Sequence, residues 1–285
     1  MKYVINTFII LLLISCSKNE VTEKDYLEFT KKLISKVKEN KNQNYDNLFN
    51  VTDVIKEIDK ISDSLGYTNK VDRKIFNSKF NYEKKCAEYF KNLSKNLNGK
   101  IEITNHFKSK DKFHFIICTE LKNNVEVTEI VLINKNEIIK IDNFYSYTTS
   151  LDMRSNYINY AIFKTNEPSF NFANNKLEKC IKLYKEGYNI EAYEVYKEIP
   201  IEFSRFPNFL FIKYKVFINL MNELNPEEIE SNYAELIGFN YKNKGFRYSK
   251  TNEYYKIFGQ DSIANKYKDS LSFLIKDIYF INKIK

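Results

Sequence analysis

The chain reads as an α+β protein: N-terminal helices packed on a four-stranded antiparallel meander, followed by an all-α region of helical hairpins. Three observations predict this. Apolar residues recur at steps of three and four from residue 22 to 98, at steps of two from 100 to 147, and again at helical steps from 151 onward. The breaks within the step-of-two stretch are only a few polar residues long. Parallel strands need crossovers of a dozen residues or more, so the four runs pair antiparallel.

Thr22 and Asp25 form an N-cap pair, and Tyr26, Phe29, Leu33 and Val37 then mark one helical face. A second helix carries Val54, Ile55, Ile58, Ile61 and Leu65 and stops at Gly66. A third, Val71 to Leu97, keeps one side apolar through Ile75, Phe76, Cys86, Tyr89, Phe90, Leu93 and Leu97, with a break near Asn81. The strands follow: Ile101–Ile103, Phe113–Ile117, Val125–Ile133, and Ile139–Ile141 continued by Tyr145–Tyr147. Their turns are Ser109 to Lys112, Lys122 to Asn124 and Asn134 to Asn136. This element order, over residues 22 to 150, resembles the α+β cone of the NTF2-like and cystatin-like superfolds. The resemblance implies a pocket between sheet and helices, a feature that serves many functions and specifies none.

In the last block, KLYKEGYNIEAYEVYKEIP from Lys182 to Pro200 resembles one tetratricopeptide repeat. Gly187 stands at the turn, Tyr188 follows it, Ala192 is the small residue a close helix crossing needs, Tyr196 lies one turn on, and Pro200 ends the second helix. Pro200 comes earlier than the family pattern has it, and a step of about 34 residues from Ala192 lands on Pro226, so the repeat is not copied in register. Phe209 to Leu220 is apolar almost throughout, Asn225-Pro226-Glu227-Glu228 starts a further helix with Pro in its first turn, and Ser262 to Ile281 supplies the last one. Stacked helical hairpins offer a concave surface to a protein or peptide.

The first twenty residues carry an address. Lys2 is a positive n-region, Val4 to Ile14 an apolar h-region, and Leu13-Ile14-Ser15-Cys16 closes it. Eleven residues are too few to span a bilayer, which takes about 20. The pattern resembles the lipobox of bacterial lipoproteins. That implies cleavage between Ser15 and Cys16, diacylation of the Cys16 sulfur, and acylation of the new N-terminus. Two or three chains give the stable anchoring that one does not. Ser17 in place of Asp implies the outer membrane if the cell is Gram-negative. The domain boundaries that follow are 1–15 for the signal peptide, 16–21 for a tether, 22–150 for the helix-plus-sheet domain and 151–285 for the tetratricopeptide-like helical domain.

The net charge of +8 is spread evenly along the chain, and only Arg73, Arg154, Arg205 and Arg247 are arginines. Arginine is the side chain that grips phosphate bidentately, so no nucleic-acid partner is expected. Tyr241 to Lys250, YKNKGFRYSK, interleaves aromatic and basic residues in the manner of single-strand binders; in an exported chain it is expected as an exposed loop between helices. Cys86, Cys118 and Cys180 are scattered and odd in number, with no C-x-x-C. They are expected as small buried side chains in two helices and a strand, and one disulfide among them stays open. No metal site or cofactor is expected.

Candidate chemistry is sparse. His106 and His114 lie on or beside strands, and His114 faces away from Phe113 and Phe115. A His114 dyad with Cys118 or Cys86 is conceivable, but four residues along a strand span about 13 Å. Glu126 and Glu137, on predicted strands, and Asp142, near the end of the last one, are carboxylates whose spacing selects no pair. Asp142-Asn143-Phe144-Tyr145-Ser146-Tyr147 is a polar and aromatic cluster suited to the rim of a pocket. Phosphate-cradling, zincin and hydrolase motifs are missing.

The expectation is a non-catalytic, lipid-anchored protein of the bacterial cell envelope that binds or assembles an envelope protein partner. The alternative is a small-ligand binder, less readily a hydrolase, using a pocket in residues 22 to 150. Deep polar groups converging under the sheet favour the second, and an uncovered apolar groove in residues 173 to 285 favours the first. Replacing Cys16 by Ala will abolish incorporation of labelled fatty acid and leave precursor or soluble protein; unchanged labelling would contradict the lipobox.

Overall fold

Three helices and a sheet begin the described chain, which in the computed structural model comprises residues 21–39, 44–66, 81–166, 168–204, 206–240 and 242–283. The helices are α1 (Glu23–Glu39), α2 (Val51–Ser64) and α3 (Tyr82–Asn96). Each has a sequence-encoded boundary. The Thr22 amide and hydroxyl both donate to the Asp25 carboxylate at 2.7 Å ahead of α1. Gly66 takes a left-handed φ of 72° just past α2, where only glycine does so without cost. Asn81 accepts the Lys84 amide at 3.0 Å and caps α3; Ile75 and Phe76 of the expected third helix lie outside the described residues.

The sheet runs β1 (Leu97–Ser109), β2 (Lys112–Leu121), β3 (Val125–Lys135) and β4 (Ile138–Ser146), antiparallel and in the order β1-β2-β3-β4. Glu137, expected on a strand, instead sits in the β3–β4 turn, where Asn136 and Glu137 have φ of 53° and 67°. Two consecutive left-handed residues match the twist of a tight hairpin. Phe113, Phe115 and Ile117 of β2 and Ile130 and Leu132 of β3 point to one face, where they bury against Leu33, Val37, Val54, Ile58 and Phe90 of the three helices. Alternation thus places the core as the sequence pattern requires.

In β4 the alternation is interrupted. Val131 pairs with Asn143 and Leu132 with Ile141, so Asp142 is an extra, unpaired residue, a β-bulge. The bulge puts Ile141 and Phe144 on the inner face and turns Tyr145 and Tyr147 to the outer one. Without it, Ile141 and Tyr147 would share a face. Segment 48–50 lies along the free edge of β4, with the Ile141 amide donating to the Leu48 carbonyl at 2.7 Å and the Asn50 amide to the Ile141 carbonyl at 2.9 Å.

Helices complete the chain: α4 (Met153–Asn166), α5 (Pro168–Lys185), α6 (Asn189–Lys197), α7 (Ile201–Ser204), α8 (Pro207–Ile218), α9 (Pro226–Phe239), α10 (Lys244–Ile257), α11 (Asp261–Ile275) and α12 (Ile278–Ile281). The first core runs past residue 150, because Tyr157, Ile158, Ala161 and Ile162 of α4 belong to it. On its other side α4 lends Tyr160 and Phe163 to a second core built from α5 to α10. Asn225 and Glu228 form a reciprocal capping box at the start of α9, the arrangement its sequence announces. Deep in this region Lys250 donates to Glu253 at 2.8 Å and to the Tyr214 hydroxyl at 2.7 Å. Tyr214 and Tyr233 in turn donate to Glu253. Burial lowers the Lys250 pKa, and the paired carboxylate satisfies the charge that remains.

Two expectations for this block change. The Tyr241–Lys250 stretch is not an exposed loop: from Lys244 it is the first half of α10, with Phe246 and Lys250 buried. Phe246 and Lys250 are four apart and so share one helical face; Tyr241 lies outside the described residues. The single helix expected over 262–281 breaks at Lys276, which is left-handed at φ 55°. Asp277 then caps α12 by accepting the Tyr279 amide at 2.9 Å. This break lets α11 and α12 fold over the sheet, where Leu271, Ile275, Phe280 and Ile281 cover Ile116, Cys118, Val125 and Val127 on the outer face. Such side chains contribute about 1.5–3 kcal/mol each on burial. The sheet is therefore covered on both sides.

One contact sets the approach of α10. A β-carbon on Gly245 would lie 2.1 Å from the buried ring of Tyr147, whereas one on Gly238 would meet nothing within 4 Å. Gly245→Ala is expected to destabilise the protein by about 1–3 kcal/mol through overpacking. Gly238→Ala, on the exposed side of α9, is expected to be neutral or to stabilise by up to about 1 kcal/mol. Chemical denaturation of both variants measures the difference.

Candidate functional site

A cleft of about 880 Å³ opens between the outer face of the sheet and the helices that follow it. Its floor is His114, Glu129, Val131 and Tyr145, one wall is Lys112, Asp142, Arg154 and Glu57, and the other is Lys242, Lys244, Phe273, Leu274 and Lys276. Residues far apart in the chain meet there because α11 and α12 return to the sheet.

The floor is a relay of hydrogen bonds. His114 Nδ1 lies 2.6 Å from Glu129 Oε1, and the buried Tyr147 hydroxyl donates to Glu129 Oε2 at 2.6 Å. A carboxylate only accepts, so Nδ1 carries a proton toward Glu129. Phe107 stacks on the imidazole at 4.7 Å and 8°, fixing its plane. Tyr147 is itself held by Gly245, so the backbone of α10 bears on the orientation of His114 through two side chains. Nε2 is the atom left to face the cleft.

The first wall is an ionic knot around the bulge. Asp142, 3% exposed, accepts Asn50 Nδ2 at 2.8 Å, Lys112 Nζ at 2.7 Å and Arg154 Nη1 at 2.5 Å. Arg154 also reaches Glu57 through Nε at 2.8 Å. Burial alone would raise the Asp142 pKa, but the Lys112 and Asn50 hydrogen bonds and the Arg154 charge outweigh it and hold the carboxyl below its ordinary range. Asn143 ties the knot to α4: its side-chain carbonyl accepts the Arg154 amide at 2.9 Å, and its amide donates to Asp152 at 2.8 Å. Asp152 caps α4 through Ser155.

Charge in the cleft is uneven. Asp142 and Glu57 neutralise Arg154 and Lys112, and Glu129 is held by His114 and Tyr147. Lys110, Lys244 and Lys276 also line it together with one further carboxylate, Asp111, and among the described residues no carboxylate pairs with these lysines. The cleft therefore offers cationic donors and an imidazole nitrogen beside apolar surface from Phe107, Val131, Tyr145, Phe273 and Leu274. That chemistry suits a small polar molecule bearing an anionic group.

The other candidate residues separate. His106 is on the edge strand, 2.9 Å from Glu23 and stacked on Phe115, at the mouth of the cleft. Glu126 is on the inner face, hydrogen-bonded by Tyr89 and Thr148, and burial raises its pKa. Asp142, Asn143 and Tyr145 of the polar-aromatic cluster reach the cleft, while Phe144, Ser146 and Tyr147 are buried behind it. The three cysteines are free and buried on α3, β2 and α5. Burial pushes the Cys118 thiol up to about 12 and Cys180 to about 11, and raises Cys86 as well, so none is a ready thiolate. Cys118 contacts Thr104 rather than His114. Among the described residues no group of three or more His, Cys, Asp or Glu is placed to hold a metal.

The helical hairpin is where its residues predict it. Gly187 turns at φ 88°, and Ala192 and Tyr196 are buried between α5, α6 and α8. Tyr188, which follows the turn, precedes α6 as its N-cap and is 53% exposed. Ser15 and Cys16 lie outside the described residues, and among those described no helix is long and apolar enough to cross a membrane. Glu129 and Arg154 are site residues that the sequence pattern does not single out. Glu129 does leave a trace, as the one carboxylate among the outward positions of β3. No protein-family model, curated protein or solved structure matches the chain.

Asp142→Asn removes the centre of the knot and strands buried positive charge, which is expected to cost on the order of 3 kcal/mol at neutral pH. Because the folded-state pKa of Asp142 is depressed, its contribution is fully present above the ordinary carboxylate value of 3.8 and is lost as the pH falls from there through the lower folded-state value. The stability gap between wild type and variant should be widest near neutrality and close below about pH 4. Urea titrations across that range measure it.

Proposed function

We propose that this is a lipid-anchored protein of the bacterial cell envelope, outer-membrane if the cell is Gram-negative, that binds a small polar anion in the cleft without transforming it. The observation that carries the reading is the convergence on one cleft over the sheet of His114, Arg154 and three lysines that have no carboxylate partner among the described residues. The address rests on Ser15-Cys16.

Binding is favoured over hydrolysis by what surrounds His114. Its contacts are Glu129 and Phe107, and the nearby nucleophile candidates are poor: Cys118 is a protonated thiol, and burial raises both Tyr145 and Tyr147. An envelope protein partner is the second reading. It is supported by the apolar side chains Phe172, Tyr188, Ile190 and Ile201, each at least half exposed on the helical region. No cofactor enters either reading.

The test uses the whole chain, since α11 and α12 cover the sheet. Protein purified from its own envelope in mild detergent is denatured, and released small molecules are identified by mass spectrometry. A stoichiometric anionic solute is expected from wild type and a loss of most of it from His114→Leu, which keeps the volume and deletes Nε2. An empty wild-type protein that instead retains an envelope protein through washing would give the role to the helical region.

A further inference from the structure

The largest exposed apolar side chains near the end of the chain are not scattered. Phe273 is 74% exposed, Ile278 75% and Tyr279 42%; Phe273 and Tyr279 lie beside β1, the edge strand of the sheet, and Ile278 is next to Tyr279 in the chain. Asn105 of β1 donates to the Leu274 carbonyl at 2.7 Å, which fixes the end of α11 against mid-strand. The Tyr279 hydroxyl donates to Glu120, opposite the start of β1, and Lys100 Nζ sits over the Tyr279 ring at 5.6 Å. Phe273 and Tyr279 therefore mark the middle and the beginning of the strand, with Ile278 next to Tyr279 in the chain.

The N-terminus leaves the fold on the other side of the same strand. Val21 packs on the inner core, and Glu23 is held by His106 of β1 at 2.9 Å. Five residue steps separate Val21 from Cys16. Fully extended they reach roughly 18 Å, less than the breadth of a small domain. A lipid on Cys16 thus keeps Val21, where the chain enters the fold on the inner side of β1, within about that distance of a bilayer, whatever path the tether takes.

We propose that the β1 edge is a membrane-docking surface, with Phe273, Ile278 and Tyr279 seated in the headgroup and upper acyl layer of the bilayer that holds Cys16. The proposal rests on the lipid-anchor reading. Phe273 also lines the cleft together with His106 and Phe107, so docking brings one wall of the cleft to the lipid surface. Charge along the edge is mixed, with Lys100, Lys108, Lys276 and Lys283 against Glu102, Glu120 and Asp277. The contact is therefore apolar burial rather than attraction to anionic lipid, and it should be insensitive to salt.

The chain has no tryptophan, so Phe273→Trp creates a single emitter at an exposed, fold-neutral position. The lipidated variant is reconstituted in phosphatidylcholine vesicles with acyl chains brominated near the headgroup, and its fluorescence is compared with that in unbrominated vesicles. Quenching of about twofold or more, unchanged by high salt, is expected for Phe273→Trp, and none for Tyr188→Trp on the helical region. An unquenched Phe273→Trp variant that carries lipid and sediments with the vesicles would overturn the docking. Protein that carries no lipid and fails to sediment would overturn the anchor instead.

Discussion

The contact on which the other features depend is the approach of α10 to the last strand, where Gly245 lies flat on the buried ring of Tyr147. Asn243 completes the joint, accepting the Phe246 amide as the cap of α10 while donating to the Ser146 carbonyl at 2.6 Å. One asparagine thus satisfies a helix-end amide and a strand-end carbonyl together. With α10 fixed this close, α11 and α12 are delivered to the outer face of the sheet. The cleft is the space this covering leaves open.

Polar groups in that space are tolerated only because they are saturated. Asp142 has three charged or amide partners and Glu129 has two, so the desolvation of each carboxylate is offset by directed hydrogen bonds. The bulge is the device that makes the knot. An extra residue in β4 lets Asp142 leave the alternation, and bulges serve this purpose next to functional sites in many sheets. The same shift sends Tyr147 to the outer face, where it meets both Glu129 and Gly245. A single inserted residue therefore supplies the wall, the relay and the helix contact.

How much of this is legible in the sequence follows from the range of each interaction. The helix-to-sheet-to-helix order, the meander, the Asn225 capping box and the orientation of His114 away from Phe113 and Phe115 are local patterns, and periodicity with capping chemistry exposes them. The bulge at Asp142 is not legible, because Ile139-Ile141 and Tyr145-Tyr147 look like one continued alternation. The β3–β4 turn extends one residue beyond its expected end because Asn136-Glu137 lacks the glycine that usually marks such a hairpin. Residues 241 to 250 look like a surface loop since basic and polar residues outnumber apolar ones, yet Lys250 is buried with Glu253 one turn on in its own helix and with Tyr214, while Tyr233 reaches the same carboxylate from α9. The cleft itself joins β2, β4, α4 and α11, and pairings at that separation leave no periodic trace.

The central claim is that the covered sheet holds a small polar anion beside His114. A crystal structure of the full chain purified from its native envelope tests it most directly. Non-protein density within hydrogen-bond distance of His114 Nε2 and of Lys244 or Lys276 is the predicted result; a cleft occupied by water alone, or closed by the approach of α11 to the sheet, would contradict it.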